Sequence, residues 1–98
     1  SIEALMNVVW SNRAAFKYEQ VLSYLLEKWT VKEAQRLVRH TNTTIKKIQK
    51  NPSLYKMSTQ YNYLRKTIVT KHNSIIYQVE ENEIIIIDYL DNRANNIY

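Results

Sequence analysis

Apolar positions change their spacing partway along this 98-residue chain, and the change divides it into a helical first half and a sheet-forming second half. Ala15, Tyr18, Leu22, Leu25 and Trp29 recur at intervals of three and four, with Val21 and Leu26 widening the stripe. That spacing predicts one buried face of a helix about 17 residues long. Ser11 stands where an N-cap belongs, its hydroxyl placed to accept from free amides of a helix starting near Asn12. Phe16 and Tyr24 fall off the stripe and are free to touch a partner or a helix end. Thr30-Val31-Lys32-Glu33 reads as a capping box, so a second helix starts directly after Trp29. Its apolar positions Ala34, Leu37, Val38, Thr41, Ile45 and Ile48 keep the helical period until Asn51-Pro52, where proline removes an amide and ends the helix. The two helices form a tight hairpin. Ahead of them Asn7-Val8-Val9-Trp10 reads as a short strand, and Met6 marks where the natural domain begins. A single domain over 6–98 is expected, with 1–5 as leader or added residues.

In the second half, residues 53–62 are polar and aromatic without a period and read as a loop. Three strands are predicted next, over 63–70, 74–79 and 83–90. The last carries Ile84-Ile85-Ile86-Ile87, an apolar run with no alternation, which needs cover on both faces and belongs in the middle of a sheet. Lys71-His72-Asn73 and Glu80-Glu81-Asn82 are the turns, with asparagine expected to supply positive φ in a chain that has no glycine. Such short connections make antiparallel neighbours. The sum is an α+β domain: N-terminal strand, helical hairpin, then a three-stranded antiparallel meander, with the helices packed on one face of the sheet and the other face partly open. Trp10, Trp29 and the helically spaced tyrosines are expected in the core.

Composition then removes function classes. Without cysteine there is neither a disulfide nor a thiolate metal site. Without glycine there is no P-loop or dinucleotide-type phosphate cradle. With two histidines, His40 on the polar side of its helix and His72 in a turn, no metal is expected, nor any cofactor or small-molecule substrate. No apolar run approaches the roughly 20 residues that span a bilayer, so no membrane partner is expected and a cytoplasmic location is the expectation. The net charge of +5 is unevenly placed: no acid occurs from Ala34 to Val79, where Arg36, Arg39, Lys46, Lys47, Lys50, Lys56, Arg65, Lys66 and Lys71 all lie. Such segregation predicts a positive side suited to nucleic acid or an acidic protein. The partner-binding candidates are Arg36, Arg39, Lys46, Lys47, Lys50, Lys56, Lys66 and Lys71.

An ordered set of short pieces resembles the RelE/ParE toxins of bacterial type II toxin-antitoxin systems over nearly the whole chain, from Asn7 to Arg93. The pieces are Val9-Trp10-Ser11, Tyr24-Leu25 with Lys28-Trp29 and Ala34, Ile45-Lys46-Lys47-Ile48 before Asn51-Pro52, Leu64-Arg65-Lys66, His72 with Ile76-Tyr77-Gln78-Val79, and Asp91-Asn92-Arg93. The hairpin with tryptophan before the second helix looks more like the ParE branch. The resemblance implies a small basic toxin neutralised by a cognate antitoxin that folds across it, with Tyr55, Tyr61 and Tyr63 as exposed aromatics for that contact and free sheet edges beside them. It further implies a target: DNA gyrase for the ParE branch, or messenger RNA on the ribosome for the RelE branch.

RNA cleavage asks for a base, an acid and cations around the reacting phosphate. Arg65, Lys71 and Arg93 are the candidate cations, and His72, of a residue type titrating near about 6.5, is the candidate proton carrier. Tyr98, loosely like the family's C-terminal aromatic, is a candidate acid, although its place at the end of the sequence predicts mobility. The structural alternatives are an Arg65 ion pair with Asp88 or Asp91, a His72 bonded to turn backbone, and an Arg93 in a solvated tail. Since one proton carrier makes no acid-base pair, the gyrase-binding toxin is preferred over the ribonuclease. A basic nucleic-acid-binding module is the reading outside the family.

Overall fold

The computed structural model describes residues 6–61, 63–94 and 96–98. The expectation for 1–5 therefore lies outside the described residues. Strand β1 (Asn7–Trp10) leads into helices α1 (Asn12–Lys28) and α2 (Val31–Lys50), followed by β2 (Arg65–Ile68), β3 (Asn73–Val79) and β4 (Glu83–Asp91). The architecture is the α+β arrangement expected. Local chemistry sets the helix ends: Ser11 Oγ accepts from the Ala14 amide at 3.0 Å, and Thr30 Oγ1 from the Glu33 amide at 3.1 Å. Asn51 closes α2, its amide donating to the Lys47 carbonyl just before Pro52.

The sheet has the order β1-β4-β3-β2, so the isoleucine strand is central. β2, β3 and β4 are antiparallel neighbours, whereas β1 runs parallel to β4 with Val8 opposite Ile84 and Trp10 opposite Ile86. A bulge explains how β4 serves two cores. Ile76 pairs with Asp88 but Tyr77 pairs with Ile86, leaving Ile87 as the extra residue. Ile84, Ile86 and Tyr89 join the helix-side core with Ala14, Leu37, Ile48, Ile75 and Tyr77. Ile87 and Leu90 join Leu64 and Ile76 on the outer face, covered by Tyr61 and Tyr98. The run thus has cover on both faces, as its lack of alternation demands.

Several expectations need correction. Trp29 is 65% exposed and Leu26 55% exposed, because the α1 stripe continues past the edge of what the sheet can cover; Ala14, one position before Ala15, is the fully buried alanine. Trp10 does pack into the core, stacked on Tyr18 at 5.1 Å between ring centroids, with Tyr18 in turn 4.7 Å from Tyr89. β2 is shorter than 63–70. Leu64 sits in a turn closed by its amide on the Tyr61 carbonyl, and Val69 and Thr70 belong to the next turn. Among the described residues no side-chain-bearing residue has positive φ, so asparagine does not act as a glycine substitute. Thr70 Oγ1 makes the first turn instead, accepting from the amides of His72 and Asn73.

Candidate functional site

The five reaction candidates, Arg65, Lys71, His72, Arg93 and Tyr98, are distributed over the sheet rather than gathered. Arg65 opens β2 opposite Tyr77, on the helix side of the sheet. Its guanidinium donates to the carbonyls of Tyr55 at 2.7 Å and Ser53 at 3.4 Å, so it pairs with neither Asp88 nor Asp91. Tyr77 completes this clasp by donating to the Pro52 carbonyl at 2.8 Å, and burial pushes its phenol up to about 12 despite the nearby Arg65 charge. Together the two side chains hold the segment leaving α2. Arg65 therefore has a structural role that its position alone did not reveal.

His72 lies exposed in the β2–β3 turn, at the other end of β2, with its carbonyl accepting from the Asn92 amide at 2.8 Å. Arg93 is exposed near the same corner and is held by Asp91 through bonds of 3.0 Å from both Nε and Nη2. Those bonds keep the Asp91 carboxyl below the usual range and raise the guanidinium. Lys71, His72 and Arg93 thus share one corner, while Arg65 and Tyr98 lie elsewhere.

Tyr98 occupies a different site, on the outer face. Its hydroxyl donates to Asp88 Oδ2 at 3.0 Å and its ring lies 6.1 Å from that of Tyr61. Burial and the adjoining carboxylate push its phenol up to about 12. Lys56, Met57, Ser58, Thr59, Lys66 and Ile68 share with it a cavity of about 260 Å³. Lys66 faces this side because it stands opposite Ile76 in the ladder.

Asp88 is the residue that sequence reasoning undervalued. It is 1% exposed, yet its carboxylate receives Lys17 Nζ at 2.7 Å and Arg13 Nε at 3.2 Å from α1, besides the Tyr89 amide and Tyr98. Burial alone raises its pKa, but Lys17, Tyr98 and Arg13 outweigh that and hold it below the ordinary value. An acid following four isoleucines was the available signal, since a buried carboxylate requires a cation from elsewhere in the chain.

The acid-free window does not form one positive side. Arg36, Arg39, Lys46, Lys47 and Lys50 are exposed on α2, on the helix layer, whereas Lys56 and Lys66 line the cavity on the opposite face, and Lys71 projects from a turn. Tyr63 is exposed as expected; Tyr55 and Tyr61 are half-buried against the two cores. A second surface went unread in the sequence. Leu22, Leu26, Val31, Ala34 and Val38, with Gln35 and Arg39, line an open apolar groove of about 560 Å³ between the helices. Phe16 and Tyr24, off the stripe, are 60% and 55% exposed.

Similar folds occur among solved structures. The chromosomal ParDE toxin-antitoxin system from P. aeruginosa contains a chain with a TM-score of 0.75 and 16% identity, covering 89% of this chain and 96% of that one. The YoeB/ParE toxin from Agrobacterium tumefaciens gives 0.66 and 14%, covering 89% and 99%, and the YoeB dimer from Staphylococcus aureus 0.64 and 19%, covering 87% and 94%. YoeB also stands among these similar structures in complex with YefM. No curated protein matches the chain in sequence. The sequence model described as the ParE toxin of the type II toxin-antitoxin system parDE matches residues 8–96. With its strand, hairpin and meander in the order those toxins share, this chain belongs to the ParE toxin family, within the RelE/ParE superfamily of type II toxins.

Proposed function

We propose that the protein inhibits growth by binding DNA gyrase in the cytoplasm and is held inactive by a cognate antitoxin. The observation that carries the choice of target is the separation of the reaction candidates. Arg65 is committed to loop carbonyls, Arg93 to Asp91 and Tyr98 to Asp88, and Lys71 and His72 are exposed in the β2–β3 turn. A phosphoryl-transfer site requires an acid and a base converging on one phosphate. A gyrase-binding toxin needs none of these to converge, and membership of the ParE family supports the same target.

The antitoxin surface proposed is the groove between α1 and α2. Its apolar floor is bordered by Arg39, with Arg36 exposed nearby, which suits an amphipathic helix carrying an apolar stripe and acidic flanks. Val31 and Leu26 stand 60% and 55% exposed there, apolar area that such a helix removes from water.

A second reading rests on the outer face, where Lys56, Lys66 and Tyr98 line one cavity: cleavage of ribosome-bound messenger RNA, with the lysines on phosphate and the phenol as acid. Gyrase supercoiling run beside ribosome-dependent mRNA cleavage separates the two. Inhibited supercoiling with intact mRNA supports the first. Cleavage that Lys66→Ala and Tyr98→Phe abolish overturns it.

A further inference from the structure

Residues 96–98 touch the outer face of the sheet in an unusual way. Among the described residues, no backbone-to-backbone hydrogen bond outside the helices and strands reaches them. Two side chains hold them instead. Asn96 Nδ2 donates to the Asp91 carbonyl at 2.9 Å and the Tyr98 hydroxyl to Asp88 Oδ2 at 3.0 Å. Ile97 between them is 66% exposed. Beneath Tyr98 lie Leu64, Ile76 and Leu90, all nearly inaccessible to solvent.

The Asp88 carboxylate makes this attachment reversible in a specific sense. A buried charge deprived of its partners is strongly unfavourable, which ordinarily locks such a contact. Here Lys17, Arg13 and the Tyr89 amide remain on the same carboxylate when the phenol leaves. Detachment costs the phenol's hydrogen bond, the Asn96 bond to the Asp91 carbonyl and the ring's burial, without orphaning the charge.

We infer that residues 96–98 form a strap that closes over the outer face, with Tyr98 as its catch on Asp88, and that its release opens the Lys56–Lys66 cavity and uncovers the Leu64, Ile76 and Leu90 cluster. Closed, Tyr98 is a wall of the cavity. Open, the outer face presents two lysines beside a bare apolar strip. The inference is independent of which target the toxin has.

Lysine acylation read by mass spectrometry tests it, because Lys66 lines the strapped cavity while Lys46 and Lys47 on α2 serve as internal references. A chain ending after Ala94 is expected to label Lys66 about five-fold faster and to bind an apolar dye more strongly, with Lys46 and Lys47 rates and helical circular dichroism unchanged. Tyr98→Phe, which keeps the ring and loses the catch, is expected to fall between that variant and the intact protein. In the intact protein, amide exchange at Ile97 and Tyr98 is expected to be much faster than in β4. Unchanged Lys66 labelling in the shortened chain overturns the proposal, as does exchange at Ile97 and Tyr98 as slow as in β4.

Discussion

Thr41 and Tyr89 meet hydroxyl to hydroxyl at 2.9 Å, at 0% and 1% exposure, and tie α2 to the central strand. Neither group has water to fall back on, so removing one partner leaves the other unpaired. Thr41→Val is expected to cost about 1–3 kcal/mol, and the double variant with Tyr89→Phe to recover part of that loss. Urea unfolding of the three variants checks both.

Arg65→Ala is expected to lower stability by about 1.5–3 kcal/mol, because a charged donor leaves the Tyr55 and Ser53 carbonyls. Lysine at this position reaches as a point charge and not a fork, so Arg65→Lys restores only part. Thermal melting gives the loss. Supercoiling inhibition per folded molecule should stay at the level of the unaltered protein; a drop there at equal stability would give Arg65 a role in the target complex.

Two limbs of the pH-stability profile follow from buried titrating groups. The Asp88 carboxyl lies below its ordinary value when folded, so its contribution is present above the unfolded value of about 3.9 and is lost as pH falls through the folded value. Asp88→Asn should flatten this acid limb, while lowering stability at neutral pH by taking the charge partner from the largely covered Lys17. The phenols of Tyr77 and Tyr98 sit at about 12 when folded. Their contribution is complete below the unfolded value of about 10 and disappears as pH rises through 12. Tyr98→Phe should reduce the alkaline limb in a melting series from pH 7 upward, and Tyr77→Phe should do so too.

Leu26→Asp is expected to weaken antitoxin binding about 100-fold, since it sets a charge in the lining of the apolar groove. The side chain is more than half exposed, so the fold should tolerate the change. Calorimetric titration with the antitoxin gives the affinity, and an unaltered circular dichroism spectrum secures the comparison. Equal affinity in the variant would move the antitoxin off the groove.

Much of the frame was legible because its signals are local. Ser11, Thr30 and Pro52 punctuate the helices through atoms a few residues away, and Ile84 to Ile87 announce a central strand by their lack of alternation. What escaped depends on distance. The helical period gives the direction of the α1 stripe but not the extent of the sheet beneath it, so Trp29 reads as core although the core stops short of it. Asp88 finds its cations 75 and 71 residues earlier, at Arg13 and Lys17, a pairing no local pattern encodes. The parallel register of β1 on β4 is equally non-local. Among the site residues, the charge pattern identified which side chains carry charge; only topology divided them between α2 and the outer sheet face.

The β1–β4 pairing also predicts an order of events in folding. Ser11 Oγ reaches the Ile87 carbonyl across a separation of 76 residues, so this contact closes a loop containing most of the chain. Contacts of that separation carry a large closure entropy and form late, while the helical hairpin needs neighbours only a few residues apart. The hairpin and its groove are therefore expected to form early, and the sheet to be sealed last. A partner that docks on the helices can engage the molecule before its central strand is enclosed.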